Sequence, residues 1–281
     1  MRSSGELKQL LRKIRDNDYQ LLNGIDLDNL LADMLRFIGH IDSELRDDLI
    51  YSTFYNWTTN ETISLSQMRR LLNTCLDEQH LFFNIGEKDT DSVFTRTFSV
   101  LIVPLAFNMH EKNPFLTGEE ILNIKKAVLR YVKEEKDSRG FVEGKGWAHA
   151  VAHSADAIES LVRVGNLFKK DLLDILDVID KVISNNDYMY CYGEDERMVN
   201  AFISTVLTGF KRGILDEDDI GYWLNTLAAK ENSWDKGPPP DRNNVHLNRK
   251  NFMRSLYFKS LRYNRLDNIN KIVLDILQNR T

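Results

Sequence analysis

A chain of 281 residues, 42% apolar and 28% charged, is long enough for one elongated or two modest domains, and its apolar content excludes wholesale disorder. The formal net charge of −5, with lysines and arginines scattered among acids, sets a field that repels phosphate backbones, so nucleic acid is not an expected partner. The two cysteines, Cys75 and Cys191, supply no disulfide framework and fit a reducing compartment.

Met1 to Gln20 alternates charges with leucines and lacks the apolar core of an export signal. The longest apolar run, Val100 to Phe107, is interrupted by Pro104 and falls far short of the roughly 18 residues that cross a bilayer. The expectation is a cytoplasmic protein with no membrane partner. Its oligomeric state is not legible in the sequence.

In chain order, helical periodicity predicts two N-terminal helices, near Gly5–Arg15 and Leu27–Ile38, that cap the fold within residues 1–40. Five long helices then open near Glu44, Asp91, Gly146, Asp195 and Asn248. Each leads into a second helix: Ser64–Leu76, Thr117–Glu134, Phe168–Ile183, Asp216–Ala228 and Leu266–Leu277. Helix starts are marked by Asp26, Asp42, Ser64, Thr117 with Glu120, and Asp216 with Asp219.

The spacing of roughly 50 residues is close to that of HEAT and armadillo units. The predicted fold class is all-α: a HEAT/armadillo-like stack of antiparallel helix pairs, an α-solenoid or α–α superhelix. It is read as one domain over 1–281, with the repeat-like pairs in 41–281. Lys236 to Asn244, containing Gly237 and Pro238 to Pro240, is expected to be a rigid nonhelical connector.

The chemistry-bearing stretch lies between Arg139 and Asp156. On a continuous helix His149, His153 and Asp156 fall at i, i+4 and i+7, within roughly 60° of one another. Trp147, Val151, Ala155, Ile158 and Val162 occupy the opposite, core-facing stripe. Two imidazoles and a carboxylate so placed can hold a divalent cation or work as an oriented acid–base pair, so His149, His153 and Asp156 are candidate metal ligands. Unlike the zinc-protease pattern, no Glu follows the first His, and any further ligand must come from elsewhere.

Two flanking segments offer matching polar stripes. Ser92, Arg96 and Ser99 precede the histidines, and Arg197, Ser204 and Thr208 follow them. Glu194, Asp195 and Glu196 complement a helix N-terminus without any further role, or Glu194 or Glu196 turns toward the histidines while Arg197 grips an anion by its planar fork. Gly140, Gly144 and Gly146 have the wrong spacing for a dinucleotide fingerprint and read as a turn that brings Lys145 near a helix start. His40, His80, His110 and His246 read as ordinary helix-end residues, and Trp57, Trp223 and Trp234 as packing residues.

Three blocks taken together, Gly144 to Asp156, Asp91 to Ser99 and Gly193 to Arg197, resemble the bacterial domain family of unknown function 2785 over about residues 40–230. The resemblance implies a mostly helical protein and brings no activity, substrate or cofactor. It marks Asp91, Ser92, Arg96, Gly146, Trp147, His149, His153, Asp156, Glu194, Asp195 and Arg197 as family features.

The leading functional expectation is a binding protein whose central polar surface holds a polar or anionic small molecule or a partner protein segment. Its candidate residues are Arg96, Trp147, His149, His153, Asp156, Glu194 and Arg197. The alternative is a metal-assisted hydrolase in which His149, His153 and an acid bind a divalent metal. A purely structural role for the histidine stripe stands beside both, and the residues do not decide whether the protein is an enzyme.

Overall fold

The computed structural model describes residues 1–164, 167–231 and 243–279. The fold is mostly helical, with one two-stranded sheet among the described residues. The chain divides into two compact units, Met1–Val164 and Gly165–Thr281.

The first unit opens with α1 (Ser4–Arg15) and α2 (Leu27–Arg36). A π-helical segment, Glu44–Tyr51, then runs directly into α3 (Ser52–Thr59) and is followed by α4 (Leu65–Cys75). Next come α5 (Ser92–Val100), α6 (Ile102–Lys112) and α7 (Gly118–Glu134). A hairpin of β1 (Phe141–Val142) and β2 (Gly146–Trp147) leads into α8 (Ala150–Val164). The second unit contains α9 (Lys169–Ile183), α10 (Glu194–Arg212), α11 (Glu217–Glu231), α12 (Asn243–Ser260) and α13 (Asp267–Asn279).

The helix starts follow local chemistry. Ser64 with Gln67 and Thr117 with Glu120 form reciprocal capping boxes, and the Asp26 carboxylate accepts the Asn29 N–H. The long helix expected from Asp91 is interrupted at Leu101. Pro104, which has no N–H to give to Val100, is accommodated in the first turn of a new helix. Of the proline connector expected at Lys236–Asn244, the prolines lie outside the described residues, as does Trp234, while Asn243 and Asn244 already belong to α12.

Within the first unit α6 packs on α3, α4 and α8, while α8 also receives α5 and α7. Within the second, α10 packs on α9 and α12, and α13 on α11 and α12. The stretch Ser92–Lys112 is long and apolar enough to cross a membrane by length and composition, yet 83% of its apolar window is buried inside the unit. It is a core element, with Phe94, Phe98, Val103 and Phe107 almost fully enclosed.

This burial corrects one expectation. The stripe of Ser92, Arg96 and Ser99 is not a surface, because all three side chains are buried. Arg96 makes a two-pronged ion pair with Glu135, its Nε 2.6 Å and its Nη2 2.9 Å from the two carboxylate oxygens. Its Nη1 donates to Ser92 Oγ and to the carbonyls of Phe83 and Asn84. The guanidinium therefore binds α5 to the preceding turn and to the end of α7, with no donor left over for a ligand.

Glu135 is itself nearly enclosed, so Arg96→Ala would strand a buried carboxylate. The expected loss is about 3–5 kcal/mol of unfolding free energy, read from urea denaturation followed by circular dichroism.

Candidate functional site

The hairpin is built from three glycines and an alternation of two. Phe141 pairs with Trp147 and Val142 with Gly146, so Val142 turns inward against Val93, Phe94 and Ala148, while Phe141 and Trp147 face outward. Gly146 has φ +79, and a Cβ there would lie 2.7 Å from Ser43 Cβ. Only glycine satisfies both the left-handed backbone and that approach. The long helix expected from Gly146 begins instead at Ala150, because Gly146 and Trp147 are committed to β2.

Between strand and helix stands His149, a non-glycine residue at φ 52. Its N–H is shared by the carbonyls of Arg139 (3.0 Å) and Gly140 (3.2 Å), and its own carbonyl accepts the His153 N–H at 2.9 Å to start α8. A left-handed residue makes both sets of bonds compatible, at the modest strain such a conformation carries.

The consequence is a ladder of rings. Phe141 meets Trp147 edge to face at 5.0 Å, and Trp147 stacks on His149 at 4.2 Å with the planes 18° apart. His149 then meets His153 at 5.8 Å, and His153 meets Phe98 at 5.4 Å. His153 Nδ1 lies 3.2 Å from the Thr97 carbonyl; since a carbonyl only accepts, this assigns the proton to Nδ1 in the neutral ring. Phe141 and Trp147 form the exposed end of the ladder and Phe98 its buried end.

Underneath lies Arg46, which is not among the residues singled out from the sequence. It sits within the π-helical segment, is wholly buried, and among the described residues has no carboxylate in hydrogen-bonding contact. Its guanidinium donates to three backbone carbonyls: His40 (2.6 Å), Lys145 (2.6 Å) and Trp147 (3.2 Å). The charge lies 4.1 Å from the Phe94 ring centre and 4.8 Å from that of Phe98. Burial pushes this guanidinium down to about 10, with Asp47, Asp42 and Asp91 acting in the opposite direction, so it remains a cation at neutral pH. No local signal in Glu44 to Tyr51 distinguishes it from a solvated arginine among acids.

Trp147, His149 and His153 are thus brought together, with His149 at the helix start rather than on its first turn. Asp156 is half-buried on α8. Among the described residues no group of three or more His, Cys, Asp or Glu is placed to hold a metal ion, so His149, His153 and Asp156 do not form the anticipated ligand set. Lys145, expected to attract an anion, is held 2.6 Å from the Asp91 carboxylate.

In the second unit Arg197 is exposed, whereas Glu194 is buried beneath the left-handed Gly193 and accepts the Tyr192 N–H at 2.7 Å. Burial pushes the Glu194 carboxyl up, against the backbone N–H groups that favour its charged form. Asp195 accepts from Ser255 Oγ and Glu196 pairs with Lys259, so the acid-rich helix start packs α10 against α12.

Residues 81–258 match the family described as "Protein of unknown function (DUF2785)". The chain belongs to DUF2785. No curated protein and no solved structure matches it. The DUF2785 segment carries the hairpin, both ladder histidines and the Arg96–Glu135 pair, while Arg46 and His40 precede it.

Gly146→Ala is expected to lower the unfolding free energy by about 1–3 kcal/mol through the strained backbone alone, before the overlap with Ser43 is added. Thermal and urea unfolding of the purified variant measure it.

Proposed function

We propose that the chain is a binding protein and that the Trp147–His149–His153 face receives a polar or anionic small molecule. The observation that carries this reading is the left-handed His149, held by hairpin and helix bonds with its ring against the indole of Trp147. Strained residues whose surroundings over-determine them cluster at ligand sites. The His153 ring, its Nδ1 proton given to the Thr97 carbonyl, gains a second N–H and a charge on protonation, and Phe141 and Trp147 supply an apolar rim.

We further propose that the helices form HEAT/armadillo-like repeats within each unit. First helices of successive pairs pack on one another, α3 on α6 and α6 on α8, and in the second unit α10 on α12, as stacked repeats require. The free state of both Cys75 and Cys191 supports a reducing, cytoplasmic setting.

The binding test is a titration of isotope-labelled protein with inorganic phosphate and with acetate, followed through the His149 and His153 ring resonances against chloride at equal ionic strength. Saturable shifts with one of the two anions are expected in the native chain. His149→Gly, which relieves the left-handed strain, should abolish them without loss of melting temperature. Shifts that chloride reproduces would contradict the proposal.

A further inference from the structure

A second site lies at the other end of the Arg46 clamp. A cleft of about 660 Å³ opens between the C-terminal end of α2, the turn after α4, and α5. That volume falls within the roughly 300–1,000 Å³ of small-molecule pockets. Its apolar walls come from Leu35, Phe37, Ile38 and Phe83, and two histidines, His40 and His80, line it as well. Gly39 makes the arrangement possible, since a Cβ there would overlap the backbone and hydroxyl of Thr95.

The two rings are fixed in complementary states. His40 Nδ1 accepts the Asp42 N–H at 3.1 Å, so the neutral ring carries its proton on Nε2 and is a donor there. His80 Nδ1 lies 2.8 Å from Asp77 Oδ1, which places the proton on Nδ1 and makes Nε2 of the neutral ring an acceptor. The same Asp77 oxygen accepts the Gln79 N–H at 2.8 Å, which anchors the carboxylate that orients His80. Arg36, the cation on this cleft, is engaged by Asp33 and by the Arg2 carbonyl and lies over Phe37. Its engagement argues for a neutral ligand over an anionic one.

We propose that this cleft binds a small neutral molecule with an aromatic-sized apolar body and a hydroxyl group. The hydroxyl donates to His80 Nε2 and accepts from His40 Nε2–H, and the body lies against Phe37, Ile38 and Phe83. This site is distinct from the Trp147–His149–His153 face, and its binding does not rest on the function proposed for that face.

The test is a titration of the full chain with phenol, toluene and benzoate, read from histidine ring resonances. Phenol should bind saturably, and at least about tenfold more tightly than toluene, because a site built to bond a hydroxyl leaves polar groups unpaired without it. His40→Asn keeps an acceptor for the Asp42 N–H, and His80→Asn keeps a donor to Asp77; each removes the ring's Nε2. Both should weaken phenol at least about tenfold with unchanged circular dichroism and melting temperature. Non-saturable phenol binding, equal affinity for toluene, tighter binding of benzoate, or full phenol affinity in both variants would overturn the proposal.

Discussion

The buried guanidinium of Arg46 is the interaction on which both candidate sites depend. Removing an arginine from water costs several kcal/mol unless hydrogen bonds and favourable charge contacts replace the lost hydration. Here three backbone carbonyls and two aromatic faces replace most of it, and Nε alone is buried without a hydrogen-bond partner. Two of those carbonyls, of Lys145 and Trp147, belong to the end of the hairpin that presents the ring ladder. The third belongs to His40, whose ring lines the cleft beside α5. One cation thereby fixes two pieces of irregular backbone, which α-helical packing alone would leave without partners.

A second buried arginine divides the labour. Arg96 meets a full carboxylate and several local acceptors, so it joins helix to helix. Arg46 meets carbonyls instead, so it joins a helix to the turn and second strand of a short hairpin and to the loop at His40. The π-helical segment brings adjacent residues Leu45 and Arg46, and again Leu49 and Ile50, under cover. The left-handed Gly146 and His149 flank the Trp147 carbonyl that Arg46 holds, and α8 begins immediately after them.

Much of this was legible in the residues. The helices follow apolar periodicity, and Ser64, Thr117 and Asp26 mark starts that the structure uses as caps. Phe141 to Trp147 was not legible as a hairpin, because two-residue strands are too short to show alternation and three glycines read simply as a turn. The burial of Arg96 escapes the periodicity for a different reason. A one-face pattern presumes that the other face meets water, whereas every residue of α5 but Thr95 is buried, and the Arg96 and Ser99 side chains are satisfied internally. Arg46 gave no sign, since burial of a charge depends on chain nearly a hundred residues away.

The most direct test of the clamp is hydrogen exchange in Arg46→Met, a variant of similar length without the charge or its donors. The account predicts faster exchange at the amides of Lys145, Ala148 and His149, whose bonds close the hairpin, while amides in α7 and α9 retain their protection. Unchanged protection at those three hairpin amides would contradict it.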